Sequence, residues 1–220
     1  MIKVSIIRCI CTSRQMPSTC PPAATVTATP SSGYTFINWT GSATNNSPTY
    51  TFTATGNTSL TANFRTTHYS PKSGDVMVKS GLATTMPTQL INTCVTAIME
   101  YINNNVFNGS VNEGVYQLSY YVTYGQWVID DGVSLSDIVS FTNMHFTTNT
   151  FSSLQAAISS GAVIMTNIAS SIPNSSHNVV IVGYFSDGYY IYMDSETGHL
   201  CIAHESAFLK NYVLYITGTK

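Results

Sequence analysis

The sequence predicts an α+β protein preceded by a small all-β unit, and three observations carry that reading. Between Ala24 and Phe64, Thr and Ser alternate with apolar residues in four short runs separated by turn clusters. From Val95 to Asn104 the apolar residues recur at helical spacing instead. Beyond Gly161 the chain returns to β-rich runs, and helices followed by an antiparallel sheet make an α+β arrangement. Residues 67–72, with Pro71, read as a linker between an all-β unit at 1–66 and a second domain at 73–220.

Composition bounds the function classes. The chain has 220 residues, and its hydrophobic share of 44% is ample for a packed core. Only 8% of residues are charged, far below the usual quarter, and Thr, Ser, Asn and Tyr take their place. Such uncharged polar surfaces suit secreted, cell-surface or virion proteins. A net charge of −2 gives no electrostatic ground for binding nucleic acid or an anionic membrane. No run of about 20 apolar residues is present to span a bilayer. The opening MIKVSIIRCICTSR is too soon interrupted for a secretory apolar region. The expectation is therefore an extracellular or cell-surface protein that is a piece of a longer exported chain, or one released by another route such as phage lysis.

Taken in order, residues 1–23 offer one alternating run, Val4 to Ile10, which reads as an edge strand. Cys9, Cys11 and Cys20 form one disulfide or none; without a nearby histidine or fourth thiol they are no zinc site, and no metal or cofactor is expected. The strands that follow are Ala24 to Thr29, Tyr34 to Trp39, Tyr50 to Thr55 and Ser59 to Phe64. Their turns fall at Pro30 to Gly33, Gly41 to Pro48 and Gly56-Asn57, so the expectation is one small sheet with an apolar face, and Trp39 and Tyr34 read as its core. The segment ATVTATPSSGYTFINWTGSATNNSPTYTFTATGNTSLTANF resembles the divergent B-repeat of internalin B-type bacterial surface proteins, through ATP-x-x-GY-x-F-x-x-W and YTFT-x-TG-x-TSLTANF, over residues 24–65. That resemblance implies contact with cell-surface or cell-wall components.

In the second domain, Val95, Ile98, Met99 and Ile102 share one helical face while Thr96, Glu100 and Asn103 share the other. Asn92 or Thr93 suits the N-cap, which places Cys94 in the first turn. Val115 to Tyr124 is compatible with helix or strand. Ser134 to Val139 reads as a capped helix, and so does Thr150 to Ser159 before Gly161. Strands follow at Ala162 to Ile168, Asn178 to Phe185, Tyr189 to Met193, Leu200 to His204 and Tyr212 to Thr217, with a helical turn at Ser206 to Lys210.

The chemistry is expected at one hairpin. Ser186-Asp187-Gly188 links two β-rich runs, so His177 opens one strand and Asp194 closes its partner. In an antiparallel pair those ends lie side by side, and a carboxylate on one ring nitrogen fixes a histidine's tautomer. Cys94 is the candidate nucleophile, because a helix N-terminus and a neighbouring imidazolium favour the reactive thiolate. Gln89 and the Cys94 backbone N–H are candidate donors to an oxyanion. Singly, each residue has a bland reading: the cysteine as a small core residue, the histidine as surface, the aspartate as a turn former. Their joint order is the informative part.

With Gln89, Cys94, His177 and Asp194 in that order, residues 73–220 resemble the papain-like cysteine peptidases. The likeness is to the branch of the bacteriocin-processing, double-glycine leader peptidases, and SLQAAISSGAVIMTNI and HNVVIVGY match its segments. Three positions depart: Val95 follows the cysteine in place of Gly-Pro, Gln89 precedes it by five residues rather than six, and Ser195 rather than Pro follows Asp194. The resemblance implies a papain-like fold, with a helix bearing the cysteine and a C-terminal antiparallel sheet, and a peptide or protein substrate. Two other functions fit the same residues: a cell-wall amidase or endopeptidase of the Cys-His hydrolase type, and a non-catalytic surface or phage binding protein with a decayed peptidase domain. His145, His199 and His204 match no position of that family, Cys201 reads as a buried strand residue, and Asp130-Asp131 before Gly132 reads as a loop.

Overall fold

The computed structural model describes residues 23–53, 58–66, 68–170 and 176–220, and the backbone of residues 5–9. The alternating runs of the first unit form β1 (Ser5–Cys9), β2 (Ala24–Thr27), β3 (Tyr34–Gly41), β4 (Thr49–Phe52) and β5 (Thr58–Thr66). They do not make one sheet. β1, β5 and β3 form a three-stranded sheet with β1 at its edge, and β2 pairs with β4 separately. The reason is Trp39, fully buried on β3: Val26 and Ala28 from the two-stranded side pack with it against Leu60, Ala62 and Phe64 of β5. Its indole N–H donates to the Ser47 carbonyl at 3.0 Å. The side chains of Cys9, Cys11 and Cys20 lie outside the described residues, and so does any disulfide among them.

The second unit comprises β6 (Val76–Met77), α1 (Cys94–Tyr101), a π-helical turn at Ile102–Val106, α2 (Glu113–Tyr124), α3 (Val128–Asp131), α4 (Leu135–His145), β7 (Phe146–Asn149) and α5 (Leu154–Ser159). Then come β8 (Val163–Ala169), β9 (Ser176–Tyr184), β10 (Tyr189–Asp194), β11 (His199–His204), a 3₁₀ turn at Glu205–Ala207 and β12 (Leu214–Thr219). Seven of these strands form one antiparallel sheet in the order β11-β10-β9-β8-β12-β7, with β6 added beside β9.

This architecture corrects the α+β, papain-like expectation. The protein is mostly β, built on the seven-stranded antiparallel sheet with a few short helices, and lacks the helix-plus-sheet arrangement of a papain-like peptidase. The physical reason lies in how much of the apolar sequence pairs as strand, with seven runs in one sheet and the helices beside it short. α1 passes into the π-helical turn after Tyr101, α2 ends on a left-handed Gly125, and α3 ends after four residues at Gly132. α5 starts only after its N-cap Ser153, whose hydroxyl accepts from the Ala156 N–H, so the first residues of the run expected as helix, from Thr150, are the exit from β7. Among the described residues, no helix is long and apolar enough to cross a membrane.

The central strands are buried on both faces. Val180, Val182, Ile191 and Met193 pack on one side with Val95, Ile98 and Met99 of α1, Tyr116 and Tyr120 of α2, and Phe141 of α4. Val179, Ile181, Tyr190 and Tyr192 pack on the other with Leu154, Ala157 and Ile158 of α5, with Phe208, and with Ile37 of β3. A residue of the first unit thus enters the core of the second. Polar contacts follow the same seam: the Ile202 N–H donates to Thr66 Oγ1 at 3.0 Å, Ser206 Oγ donates to Asn63 Oδ1 at 2.7 Å, and the Tyr69 N–H donates to the Leu200 carbonyl at 2.7 Å.

Candidate active site

The site begins with the parity of a strand. β9 and β10 pair with Tyr190 opposite Tyr184 and Ile191 opposite Gly183, but Tyr192 is opposite Ile181, so Val182 is an extra residue. An unbroken register would set Asp194 opposite Val180, on the face away from His177. The bulge sets it opposite Val179 instead, and His177, two residues on, shares that face. His177 Nε2 and Asp194 Oδ1 meet at 2.9 Å, with both side chains buried. The second oxygen of the carboxylate accepts from Arg65 Nη1, and Oδ1 also accepts from the Glu196 N–H at 2.9 Å.

Cys94 is the first residue of α1 and is half-buried. Its thiol is near enough to His177 to be among the groups that raise the imidazole. Since Nε2 faces Asp194, Nδ1 is the ring nitrogen left for the thiol. The approach to the helix is a tight turn: Asn92 adopts a left-handed conformation (φ 64°), and its side-chain amide donates to the carbonyls of Ile129 and Asp130 at 3.2 and 3.0 Å. Thr93 is the N-cap, but its side chain makes no capping bond and its hydroxyl donates instead to the Leu90 carbonyl. The first-turn N–H groups beside Cys94 are therefore not claimed by the cap. Unlike the two-faced helix expected, α1 is buried almost all round; Thr96 is inside because its hydroxyl bonds Glu113.

Gln89 is held beside this group from two directions. Its N–H donates to the Ser195 carbonyl at 2.8 Å, and its side-chain oxygen accepts from Ser195 Oγ at 2.6 Å. The amide NH₂ is then the end of that side chain left to donate. The segment ahead of it is fixed by the Met86 N–H bonding the Gly198 carbonyl. Gly198 has φ 71°, and a Cβ there would sit 2.7 Å from the Met86 carbonyl oxygen, so only glycine admits this approach.

Electrostatics agree with the geometry. Burial alone would push the His177 imidazole down, but the interactions with Asp194 and then Cys94 outweigh that and raise it to about 10. Burial would raise Asp194, yet His177, Arg65 and the Glu196 N–H hold it below the ordinary carboxylate value. Cys201, fully buried on β11, is pushed up to about 12, chiefly by burial and then by Asp194, which suits an inert thiol. His177, Asp194 and Glu196 offer atoms within 4.8 Å of one another, the spacing of a metal set. Arg65 is the cation there: Nη1 bonds Asp194 and Nη2 lies 3.5 Å from Glu196 Oε2.

Sequence reasoning missed Arg65, because it lies in the first unit and far from the hairpin. A signal was present: β5 alternates Leu60, Ala62 and Phe64 toward its own core, which turns Asn63 and Arg65 the other way. It also missed Tyr212, a buried phenol within electrostatic reach of Cys94 that donates to Asn178 Oδ1. Asp130 and Asp131 lie in the short helix α3 rather than in a loop. His145 bonds Ser119 and His204 bonds Ser206, both away from Cys94's partners, while the ring of His199 stands edge-on to His68.

Residues 19–68 match the family described as the divergent InlB B-repeat domain. No curated protein matches the chain.

Proposed function

We propose that this chain joins a surface-type B-repeat to a cysteine hydrolase that cleaves peptide bonds, with Cys94 as nucleophile, His177 as acid and base, Asp194 as orienter, and Gln89 with the first turn of α1 as oxyanion donors. The observation that carries the reading is the buried pair of His177 Nε2 and Asp194 Oδ1 at 2.9 Å, with Cys94 at the start of α1 among the groups that raise the imidazole. The order Gln, Cys, His, Asp is also that of the double-glycine leader peptidases, which favours a peptide substrate. In the reaction, the Cys94 thiolate attacks the scissile carbonyl carbon, and the oxyanion is met by the α1 N–H groups and the Gln89 amide. The C–N bond then breaks as His177 gives its proton to the leaving amine, leaving a thioester on Cys94. Water, deprotonated by His177, attacks that thioester, and the acid product and thiol are released. Leu90 and Ile91, exposed just ahead of the nucleophile, offer apolar ground for side chains of the substrate.

A second reading, a cell-wall amidase or endopeptidase using the same residues, is favoured by the repeat at residues 19–68, whose surface character suits action outside the cell or at the wall. Digestion of a mixed peptide library and of purified peptidoglycan, each with the wild type and with Cys94→Ser, tests both. Peptide cleavage lost in the variant supports the first reading, and release of wall fragments alone supports the second. No cleavage of either by the wild type would overturn the hydrolase reading.

A further inference from the structure

We infer that Arg65 is a positioning residue for the candidate triad, so that the last strand of the repeat forms part of the active site; this rests on the hydrolase reading above for its catalytic consequence. Arg65 is buried, and a guanidinium out of water is costly unless its donors are paired. Its planar fork reaches two carboxylates, Asp194 through Nη1 and Glu196 through Nη2. Glu196 is itself bonded by Ser170 Oγ at 2.8 Å. The Asp194 carboxylate is consequently fixed at both oxygens, Oδ2 by Arg65 and Oδ1 by His177 and the Glu196 N–H. Without the guanidinium, Oδ2 loses its partner and the carboxylate is held at Oδ1 alone, so it can turn about its last bond and misplace the acceptor that orients the imidazole. The guanidinium is thus paired with two carboxylates, Asp194 and Glu196.

A merely structural Arg65 would staple the seam, as the Ser206 to Asn63 bond does, without influencing the imidazole. The full-length chain carrying Arg65→Gln, Arg65→Lys or Ser206→Ala separates the two roles. Two quantities are read: the downfield proton resonance of His177 Hε2, hydrogen-bonded to Asp194, and kcat against KM on a cleaved peptide. Arg65→Gln is expected to lose the resonance and to drop kcat on the order of 10²-fold, with KM little changed, as misplaced catalytic groups do. Arg65→Lys, whose ammonium cannot span both carboxylates, keeps a broadened resonance and an intermediate kcat. Ser206→Ala keeps both and melts at a lower temperature. A wild-type resonance in Arg65→Gln, with only the melting point lowered, would overturn the inference. If Arg65→Gln does not fold, an unaltered resonance and kcat in Arg65→Lys overturn it instead. The resonance is read whether or not the wild type turns over a substrate, so failure of the hydrolase reading and failure of this inference remain distinct.

Discussion

His177 draws its character from opposing forces that the chain around it supplies. Burial disfavours the imidazolium, while Asp194 and Cys94 favour it more strongly, and the folded value rises to about 10 against an ordinary 6.5. A histidine raised in this way adds stability that is fully present below pH 6.5 and is lost as pH climbs through about 10. The melting temperature of the wild type should therefore fall between pH 6.5 and about 9 more steeply than that of His177→Asn, in a window below the titration of the buried tyrosines. Parallel melting curves in the two proteins would contradict the assignment. Asp194 gives a second test at this scale. Asp194→Ala removes the acceptor of His177 and leaves Arg65 buried beside one carboxylate fewer, so it should lower both the melting point and the rate. Asp194→Asn keeps an oxygen for the imidazole N–H, and its rate should exceed that of the alanine variant. Equal rates in wild type and Asp194→Ala would mean that the carboxylate does not orient the ring. Cys94, His177 and Asp194 were legible in the sequence because each sits at an element boundary that the local pattern marks. Arg65 was not, since its partners lie well over a hundred residues away and no local pattern encodes that meeting.

Between strands, the single extra residue at Val182 turns Asp194 and His177 onto one face. The hairpin was legible from Ser186-Asp187-Gly188, but the bulge was not, because an extra residue in an unbroken apolar run leaves no mark in the alternation. Gly183, next to it, marks a tight place: a Cβ there would lie 2.6 Å from Met77 Sδ and 2.8 Å from the Val76 carbonyl oxygen. Gly183→Ala should push β6 from the sheet and cost about 1–3 kcal/mol, as overpacking does. Below its lowered melting point it should keep its rate, because β6 pairs at the end of β9 remote from His177. An unchanged melting temperature would show that β6 adds nothing to the sheet. The helices explain where reading failed. Periodicity placed α1 and α4 correctly and could not decide α2, whose exposed Val115, Leu118 and Val122 blur its polar face. It could not foresee the π-helical turn that cuts α1 short, nor that Phe146–Asn149 would pair with β12.

Across the whole molecule, the repeat and the seven-stranded sheet share a core at Ile37 and a polar seam at Asn63, Arg65 and Thr66. The repeat itself was readable from its strand spacing and aromatic positions. Its contact with the second unit was not, because Asn63 and Arg65 read as ordinary solvent-facing alternates of an edge-rich sheet. The relay from Cys94 through His177 to Asp194 is the centre of the account, and trapping the nucleophile tests it most directly. Treatment of the full chain with a cysteine-directed epoxide at pH 6, followed by peptide mapping, should place an adduct on Cys94 and leave Cys201, buried and pushed up to about 12, unmodified. His177→Asn should slow that adduct on the order of 10²-fold, the scale of a lost general acid–base partner. Equal labelling of Cys94 and Cys201, or an unchanged rate in His177→Asn, would contradict the relay.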